Sequence, residues 1–326
     1  MSSDQIRVFD AATTGDLLPF RGLVDTLRQA FAEGCAVPVR HHHTVENPGE
    51  PDATLLLMPA WHETNRSRRF LGIKIVTVFP SNTARGLPGL TSTYMLYDAQ
   101  TGIQLAILDG NAITSRRTVA GSALAADYLA REDAKKLLII GAGRVASLIP
   151  DAYLAVRPIE DIAVWDIDEA SAARLAESLR ERGLNASAAT DLGAAVRRAD
   201  IVSAATLATS PLIKGEWLQP GTHVDLIGGF KPDMREADDE AVRRSSVFID
   251  TDEALHEAGD LVQPINAGTF SAGRICGTLP NLCRRNGAAR MSRDEITLYK
   301  AVGTGLADLA AATMVYETAL VSHNVC

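Results

Sequence analysis

Short apolar runs alternate with charged, helix-like stretches through the middle of the chain. The runs KLLII, DIAVW, ADIVSAA, THVDLIG and SVFID predict strands, and NASAAT predicts a weaker one. After DIAVW, residues 169–183 carry apolar positions at the spacing of an amphipathic helix. Alternating strands and helices of this kind are typical of an α/β Rossmann fold with a doubly wound parallel sheet.

The first part of the chain has a different pattern. One predicted helix, over about residues 16–33, precedes four strand-like runs: ATLLLMPAW, FLGIKIVTVFP, TSTYMLYD and IQLAILD. Turns rich in Gly, Pro, Asn and Asp separate these runs, as in an antiparallel sheet. Residues 113–132 predict a helix that leads into the Rossmann part. Residues 292–320 predict a long helix, broken near Gly303 and Gly305, that returns to the first part.

These patterns predict two domains. A discontinuous α+β domain would contain residues 1–117 and 306–326, and a Rossmann dinucleotide-binding domain would contain residues 118–305. A chain of 326 residues is longer than one hydrophobic core usually serves, which agrees with this division.

The composition of the chain indicates which kinds of binding partner and which cysteine chemistry to expect. The net charge is −8 and no basic stretch is interleaved with aromatic residues, so we expect no nucleic-acid or membrane partner. The four cysteines, Cys35, Cys276, Cys283 and Cys326, form no CxxC pair, which argues against a disulfide framework and a zinc site. The first residues, MSSDQIRVFD, contain no basic and apolar leader. We therefore expect a cytoplasmic protein.

A glycine-rich turn follows the strand KLLII. In IIGAGRVAS, Gly141, Gly143 and Ala146 have the G-x-G-x-x-G/A spacing between a strand and a helix. The first glycine permits a tight turn, the second lets the backbone approach a pyrophosphate, and Ala146 permits close packing of helix on strand. The motif predicts a dinucleotide site, while a glycine turn without a ligand is the alternative.

The next strand ends at Asp166, where a carboxylate can accept the ribose hydroxyls of a dinucleotide. Because a carboxylate repels a 2′-phosphate, we expect NAD(H), with NADP(H) as an alternative. Arg144 either reaches a phosphate or lies solvated on the helix. We assign Val145 in the turn, and Ala205 and Thr206 at the end of ADIVSAAT, to the same cofactor site.

Lys74 lies inside LGIKIVTVF, a strand that is apolar on both faces. Lysine in such company is seldom buried unless it is paired or functional. Burial lowers the pKa of a lysine, which suits a proton donor or a partner of a carboxylate. The alternative is a lysine on an edge strand whose amine reaches water.

Three arginines are candidates for binding a carboxylate. Arg116 and Arg117 lie at a predicted helix start in ITSRRTVAG, and we expect one of them to be a solvated surface residue. Arg40 in VPVRHHH is the third; guanidinium groups bind carboxylates bidentately. The three histidines that follow Arg40 point to alternating sides of an extended chain, and no acidic or cysteine cluster accompanies them, so we expect no metal.

Together these motifs resemble the ornithine cyclodeaminase/mu-crystallin family. The similar segments are GIKIVTVFPSN, GLPGLTSTYMLYDAQTG, LDGNAITSRRTVAGSALAADYLAR, IIGAGRVAS, GGFKPDMREADDE, EAGDL and RMSRDEITLYKAVGTGLADLAAA. They follow in order from about residue 37 onward. The resemblance implies a Rossmann domain joined to a substrate domain that dimerises through its sheet, with a nicotinamide held over a small amino or imino acid.

The resemblance also implies roles for particular residues. By motif, Lys74 corresponds to the family's active-site lysine, while Arg117 and Arg40 correspond to its carboxylate-binding arginines. Thr91 falls in the substrate-side turn. Phe230 stands where members that deaminate ornithine, and the alanine dehydrogenases, carry an aspartate.

Phe230 cannot accept a proton or bind an ammonium group. At this position the chain therefore lacks the acid that would assist ring closure with loss of ammonia. Reduction of a cyclic ketimine, such as 1-pyrroline-2-carboxylate or 1-piperideine-2-carboxylate, needs no such group. We therefore predict a ketimine reductase in which Phe230 packs on the substrate methylenes. In the alternative, Phe230 points away and Asp225, Asp233 or Asp308 supplies the acid. The alternative functions are an ornithine cyclodeaminase or related amino-acid dehydrogenase, and a binding protein without turnover.

Overall fold

The computed structural model describes residues 6–64, 68–285 and 289–323. Its strands, in chain order, are β1 (Arg7–Phe9), β2 (His41–Val45), β3 (Ala53–Trp61), β4 (Phe70–Val78), β5 (Leu90–Asp98), β6 (Gln104–Asp109), β7 (Lys136–Ile140), β8 (Asp161–Trp165), β9 (Ala186–Ala188), β10 (Ile201–Ala204), β11 (His223–Leu226), β12 (Ser246–Ile249), β13 (Ile275–Thr278) and β14 (Thr297–Lys300). Its α-helices are α1 (Ala11–Asp16), α2 (Phe20–Glu33), α3 (Gly110–Leu129), α4 (Ile149–Leu154), α5 (Glu169–Glu181), α6 (Leu192–Arg198), α7 (Asp239–Arg244), α8 (Ala254–Glu257), α9 (Gly259–Asn266), α10 (Leu279–Arg285) and α11 (Gly305–His323). The parts of the predicted domain ranges at residues 1–5, 65–67, 286–288 and 324–326, including Cys326, lie outside the described residues.

The chain divides into two compact units. One contains the residues up to Arg117 together with those from Thr304 onward, and the other contains Thr118–Gly303. The fold is α/β, as predicted, with a Rossmann-type parallel sheet in the second unit. The assignment of one unit to substrate and the other to cofactor stays a prediction at this point.

The first unit contains a six-stranded sheet in the order β1-β6-β5-β4-β3-β2. Its strands from β2 to β6 pair antiparallel, while β1 pairs parallel to β6. Alternation along β4 gives the sheet two different faces, since Gly72, Lys74 and Val76 are buried whereas Ile73 and Ile75 are partly exposed. Helix α11 lies on the buried face against β3, β4 and β5, and α2 packs against α11.

The second unit contains an eight-stranded parallel sheet in the order β13-β12-β14-β11-β10-β7-β8-β9. From β7 the chain first builds outward through β8 and β9, then returns to add β10 on the other side of β7. The strand order therefore reverses between β7 and β10. Ligands of open α/β sheets bind at the carboxyl ends of the strands at such a switch point.

Two predictions about helices are wrong in detail. The predicted helix over about residues 16–33 is α2 and begins only at Phe20, while a separate short helix, α1, precedes it and was not predicted. The predicted helix over residues 292–320 begins only at Gly305, because residues 297–300 form β14, a strand buried on both faces between β11 and β12. Gly303, with φ +83°, lies between this strand and α11.

Candidate active site

Lys74 is buried at the centre of the first sheet. Its strand, β4, lies between β3 and β5, so the edge-strand alternative is wrong. Cross-strand pairing places Met58 and Tyr94 opposite Lys74, and the lysine is 2% exposed. A lysine this deep requires a partner of opposite charge. That partner is Asp308 of α11, whose Oδ2 lies 2.6 Å from Lys74 Nζ.

Asp308 also binds Arg117. Arg117 Nε donates to Asp308 Oδ1 at 2.8 Å, and the carboxylate is completely buried. One acid therefore contacts two cations, one from β4 and one from α3. Within the described residues, the terminal nitrogens of Arg117 donate no hydrogen bond, so the outer edge of this guanidinium is available to a ligand.

The electrostatics of this cluster follow from burial and charge. Burial lowers the pKa of Lys74, Asp308 opposes that change, and the positive charges of Arg117 and Arg40 lower it further, so that the pKa lies at about 8. Burial disfavours ionised Asp308, but Lys74 and Arg117 outweigh burial and hold the pKa of Asp308 below its ordinary value. Arg40, which is half-buried, thus lies within electrostatic reach of Lys74. We call Lys74, Arg117, Arg40 and Asp308 the cationic cluster.

Two other predicted residues do not join the cationic cluster. Thr91 is exposed and its hydroxyl lies 2.8 Å from that of Thr77, on the sheet face opposite to Lys74. We expected one arginine of the pair Arg116 and Arg117 to be solvated, but Arg116 is not. It is half-buried, donates to the Leu18 carbonyl at 3.1 Å, and lies over the Phe20 ring. Arg116 therefore has a structural role.

Asp308 was among the alternative acids, but its part in positioning Lys74 and Arg117 was not predicted. The sequence signal was available, since an aspartate stands in the apolar helical stretch GLADLAAAT. Its partners, however, come from a strand and a helix far away in the sequence, and periodicity says nothing about such pairings.

The glycine turn of the second unit has the geometry of a dinucleotide site. Gly141 has φ +107°, and a Cβ there would lie 2.7 Å from the Ala205 carbonyl oxygen, so a side chain is excluded. Gly143 is exposed and a Cβ there would meet nothing within 4 Å, which leaves open space beside the backbone. Ala146 is buried at the start of the short helical segment Ala146–Leu148. The turn thus fits a group that approaches the main chain closely.

Asp166 follows β8 at the same edge of the sheet. Its Oδ2 accepts from the Ala142 N–H at 2.8 Å, and its Oδ1 accepts from the Asp168 N–H at 2.9 Å. The carboxylate is therefore held beside the glycine turn. Arg144 is exposed and Val145 is half-buried.

Ala205 and Thr206 lie immediately after β10, across the switch point from Gly141. The Ala205 N–H donates to the Ile140 carbonyl at 2.9 Å, which continues the pairing of β10 with β7. The Thr206 N–H and hydroxyl both donate to Glu236 Oε1, at 2.7 and 2.9 Å. The structure therefore brings the predicted cofactor residues of β7, β8 and β10 to one edge of the sheet.

Phe230 and two of the alternative acids lie on or near β11. Phe230 is 41% exposed in the loop after this strand, and Asp233 is exposed in the same loop. Asp225 is completely buried and accepts hydrogen bonds from the hydroxyls of Ser122, Tyr153 and Ser203. Since these three bonds use both oxygens of Asp225 inside the second unit, Asp225 is a structural residue.

The described residues contain no group of three His, Cys, Asp or Glu side chains that could hold a metal. Of the helices in the described part of the chain, none has the length and apolarity of a membrane span. Cys35, Cys276 and Cys283 form no disulfide there.

Comparison with known proteins gives consistent matches over both units. A family model described as ornithine cyclodeaminase/mu-crystallin family matches residues 11–323. The Delta(1)-pyrroline-2-carboxylate reductase of Paracoccus denitrificans (strain Pd 1222) is 41% identical over 300 residues, which cover 91% of this chain and 92% of the relative. The structure of Thermococcus litoralis Delta(1)-pyrroline-2-carboxylate reductase in complex with NADH and L-proline aligns with a TM-score of 0.90 and 33% identity, over 98% of both chains. An archaeal alanine dehydrogenase dimer with bound NAD aligns with a TM-score of 0.87 and 26% identity, over 98% of this chain and 97% of the other.

Proposed function

Because the chain belongs to the ornithine cyclodeaminase/mu-crystallin family, we propose that it is an NAD(H)-dependent reductase of a cyclic ketimine, with 1-pyrroline-2-carboxylate as the first substrate to test and 1-piperideine-2-carboxylate as the second. One observation carries this proposal. Asp308, the single carboxylate of the cationic cluster, contacts Lys74 with one oxygen and Arg117 with the other, so the positive charge of the cluster exceeds its negative charge. Two relatives named as reductases of the first of these imines support it.

The arginines of the cationic cluster would bind the substrate carboxylate. Asp308 holds Arg117 through Nε, which leaves the two terminal nitrogens oriented together for a bidentate contact. Arg40 adds a second positive charge from the chain segment before β2. With three cations around one acid, the cluster favours an anionic ligand.

Lys74 would donate the proton that reduction of an imine requires. With a pKa of about 8, Lys74 is mostly protonated at neutral pH and yet acidic enough to give up its proton. A reduced nicotinamide bound at the switch point would supply hydride to the imine carbon. The C=N π pair would then move to nitrogen, and the Lys74 ammonium would protonate that nitrogen to give the cyclic amino acid.

The dinucleotide would bind at the switch point of the second unit. Gly141, Gly143 and Ala146 would form the pyrophosphate turn, with Arg144 and Val145 in the same segment. Ala205 and Thr206 would border the turn from β10, and Asp166 would accept the ribose hydroxyls. Because Asp166 is a carboxylate and Ile167 and Asp168 supply no cation, NADH is favoured over NADPH.

Phe230 stays our proposed apolar contact for the ring methylenes of the substrate. It has no group that could bind a second amine, and Asp225 is fully engaged by three hydroxyls. Both facts favour reduction of a ring that is already closed over deamination of a diamino acid.

We also propose that the protein is a cytoplasmic homodimer. One face of the first sheet leaves apolar side chains half-buried, and these are Leu55, Leu57, Ile73, Ile75 and Met95. A second copy of the chain covering this face would remove them from water.

The absence of disulfides among the described cysteines agrees with a reducing compartment.

The test uses the purified full chain. NADH binding is measured by fluorescence titration, and turnover is measured as NADH oxidation with each of the two cyclic imines. Turnover with at least one imine supports the proposal. NADH binding without turnover of either imine would refute it, and release of ammonia from ornithine with NAD would indicate a cyclodeaminase instead.

A further inference from the structure

Three completely buried charged side chains lie together at the carboxyl edge of the parallel sheet. They are Glu236, Asp260 at the start of α9, and Lys300 at the end of β14. Asp260 Oδ2 lies 3.0 Å from Lys300 Nζ, while Asp260 Oδ1 accepts from the main-chain N–H groups of residues 236 and 237 at 2.8 and 3.0 Å. We call these three residues the Glu236 latch.

Glu236 connects the ends of two neighbouring strands. Its Oε1 accepts from the N–H and the hydroxyl of Thr206, which follows β10. Its Oε2 accepts from the Gly228 N–H at 2.7 Å, just after β11. Three donors from two loops therefore meet on one carboxylate, which is an arrangement that favours the ionised acid.

The Gly-Gly pair after β11 provides the space for this arrangement. A Cβ at Gly228 would collide with the Thr206 carbonyl oxygen and with Glu236 Oε1. A Cβ at Gly229 would collide with Asp260 Oδ2. Neither glycine has a positive φ. The pair is therefore required for close packing against the two buried acids and not for an unusual backbone conformation.

We propose that Glu236 is a positioning residue that fixes the loops after β10 and β11 in the conformation that binds the dinucleotide. The inference rests on the proposed function, since it takes the switch point as the cofactor site. Thr206 directly follows Ala205, whose carbonyl oxygen defines the space at Gly141. Movement of Thr206 would thus shift the Ala205 carbonyl that lies beside Gly141. The loop that carries Phe230 begins at Gly228, whose N–H donates to the other oxygen of Glu236.

The pKa of Glu236 is set by burial and by the two charged neighbours. Burial raises the pKa of Glu236 to about 7, with Lys300 lowering it and Asp260 raising it. Replacing Glu236 by glutamine leaves Asp260 and Lys300 as a neutral buried pair, so the variant should fold. Its amide cannot accept from all three donors, because one end of the group carries N–H bonds of its own.

The experiment compares Glu236→Gln with wild type and with Glu240→Gln, the same change at a half-exposed acid of α7 that pairs with Arg243. The dissociation constant of NADH is measured by fluorescence titration. We expect it to rise about tenfold in Glu236→Gln and to stay within about twofold in Glu240→Gln. In steady-state assays, KM for NADH should rise more than KM for the imine, because Glu236 takes two hydrogen bonds from Thr206 and one from the loop that carries Phe230.

A double-mutant cycle with Thr206→Val makes the test specific. If Glu236 acts through Thr206, the effects of the two substitutions on NADH affinity are less than additive. Additive effects, or a Glu236→Gln variant that loses folded protein but binds NADH with unchanged affinity, would overturn the inference. Wild-type protein that binds NADH but does not reduce the imines would refute the proposed function and leave this binding test intact.

Discussion

The two units each contain a cluster of buried charge, and the clusters differ in their balance. In the first unit, Lys74 and Arg117 both contact the carboxylate of Asp308, and the terminal nitrogens of Arg117 donate no hydrogen bond to the described residues. Around Lys300, two carboxylates share one cation, and the other carboxylate oxygens accept hydrogen bonds within the chain. Buried charge whose partners all lie within the chain can hold the backbone in place, whereas a cation with donors left over at the edge of a cluster is available to a ligand.

The same substitution in the two clusters gives the sharpest contrast. Lys74→Met should lower kcat for imine reduction by about 10³-fold, because the proton donor is lost while Asp308 keeps Arg117 as its partner. Lys300→Met should instead lower the free energy of unfolding by about 3–5 kcal/mol, because Asp260 loses its buried counter-ion. Urea unfolding and steady-state kinetics on both variants measure this. A Lys74→Met protein that keeps wild-type kcat would remove the basis of the comparison.

Neighbouring arginines provide the second contrast. Arg117→Lys should raise KM for the imine about 10- to 100-fold, because a lysine cannot bind Asp308 and clamp a carboxylate at once. Arg116→Lys is the matched control, since Arg116 bonds the Leu18 carbonyl and stacks on Phe20. Initial rates at varied imine and saturating NADH give both values. Equal effects at the two positions would show that Arg117 is not the carboxylate ligand.

The pH dependence of reduction provides the smallest expected effect. Lys74 is protonated below its pKa of about 8 and loses its proton above it, so kcat/KM should fall about tenfold per pH unit on the alkaline side. Lys74→Arg, which stays charged, should be slower but lack this fall. Profiles of the same shape in both proteins would assign the titration to another group.

Much of the fold could be predicted because local patterns determined it. Alternating apolar positions marked β3 to β6, and the strand–turn–helix at IIGAGRVAS marked the switch point of the parallel sheet. Strand β2 was missed since HHHTV has no apolar alternation, being an exposed strand at the edge of its sheet. Strand β14 was missed because a strand buried on both faces, next to a long apolar helix, continues that helix's hydrophobic character.

The predicted site was incomplete for a related reason. Lys74 was predicted as a site residue because it is a charged residue in an apolar strand, and Lys300 has the same kind of surroundings in ITLYKAV. Lys300 was not predicted because its segment was interpreted as part of a helix. The partnerships of Asp308 and Glu236 are long-range contacts created by tertiary packing, and no spacing along the chain encodes them.

The paired glycines after β11 have a consequence for how this protein can vary. At Gly229 a side chain would collide with the carboxylate of Asp260, so we expect positions 229 and 260 to change together. At Gly228 a side chain would also collide with the Thr206 carbonyl oxygen, so a smaller residue at position 236 would not make room for it. A natural variant with a bulkier residue at 229 should therefore carry a shorter side chain at 260, whereas position 228 should stay glycine.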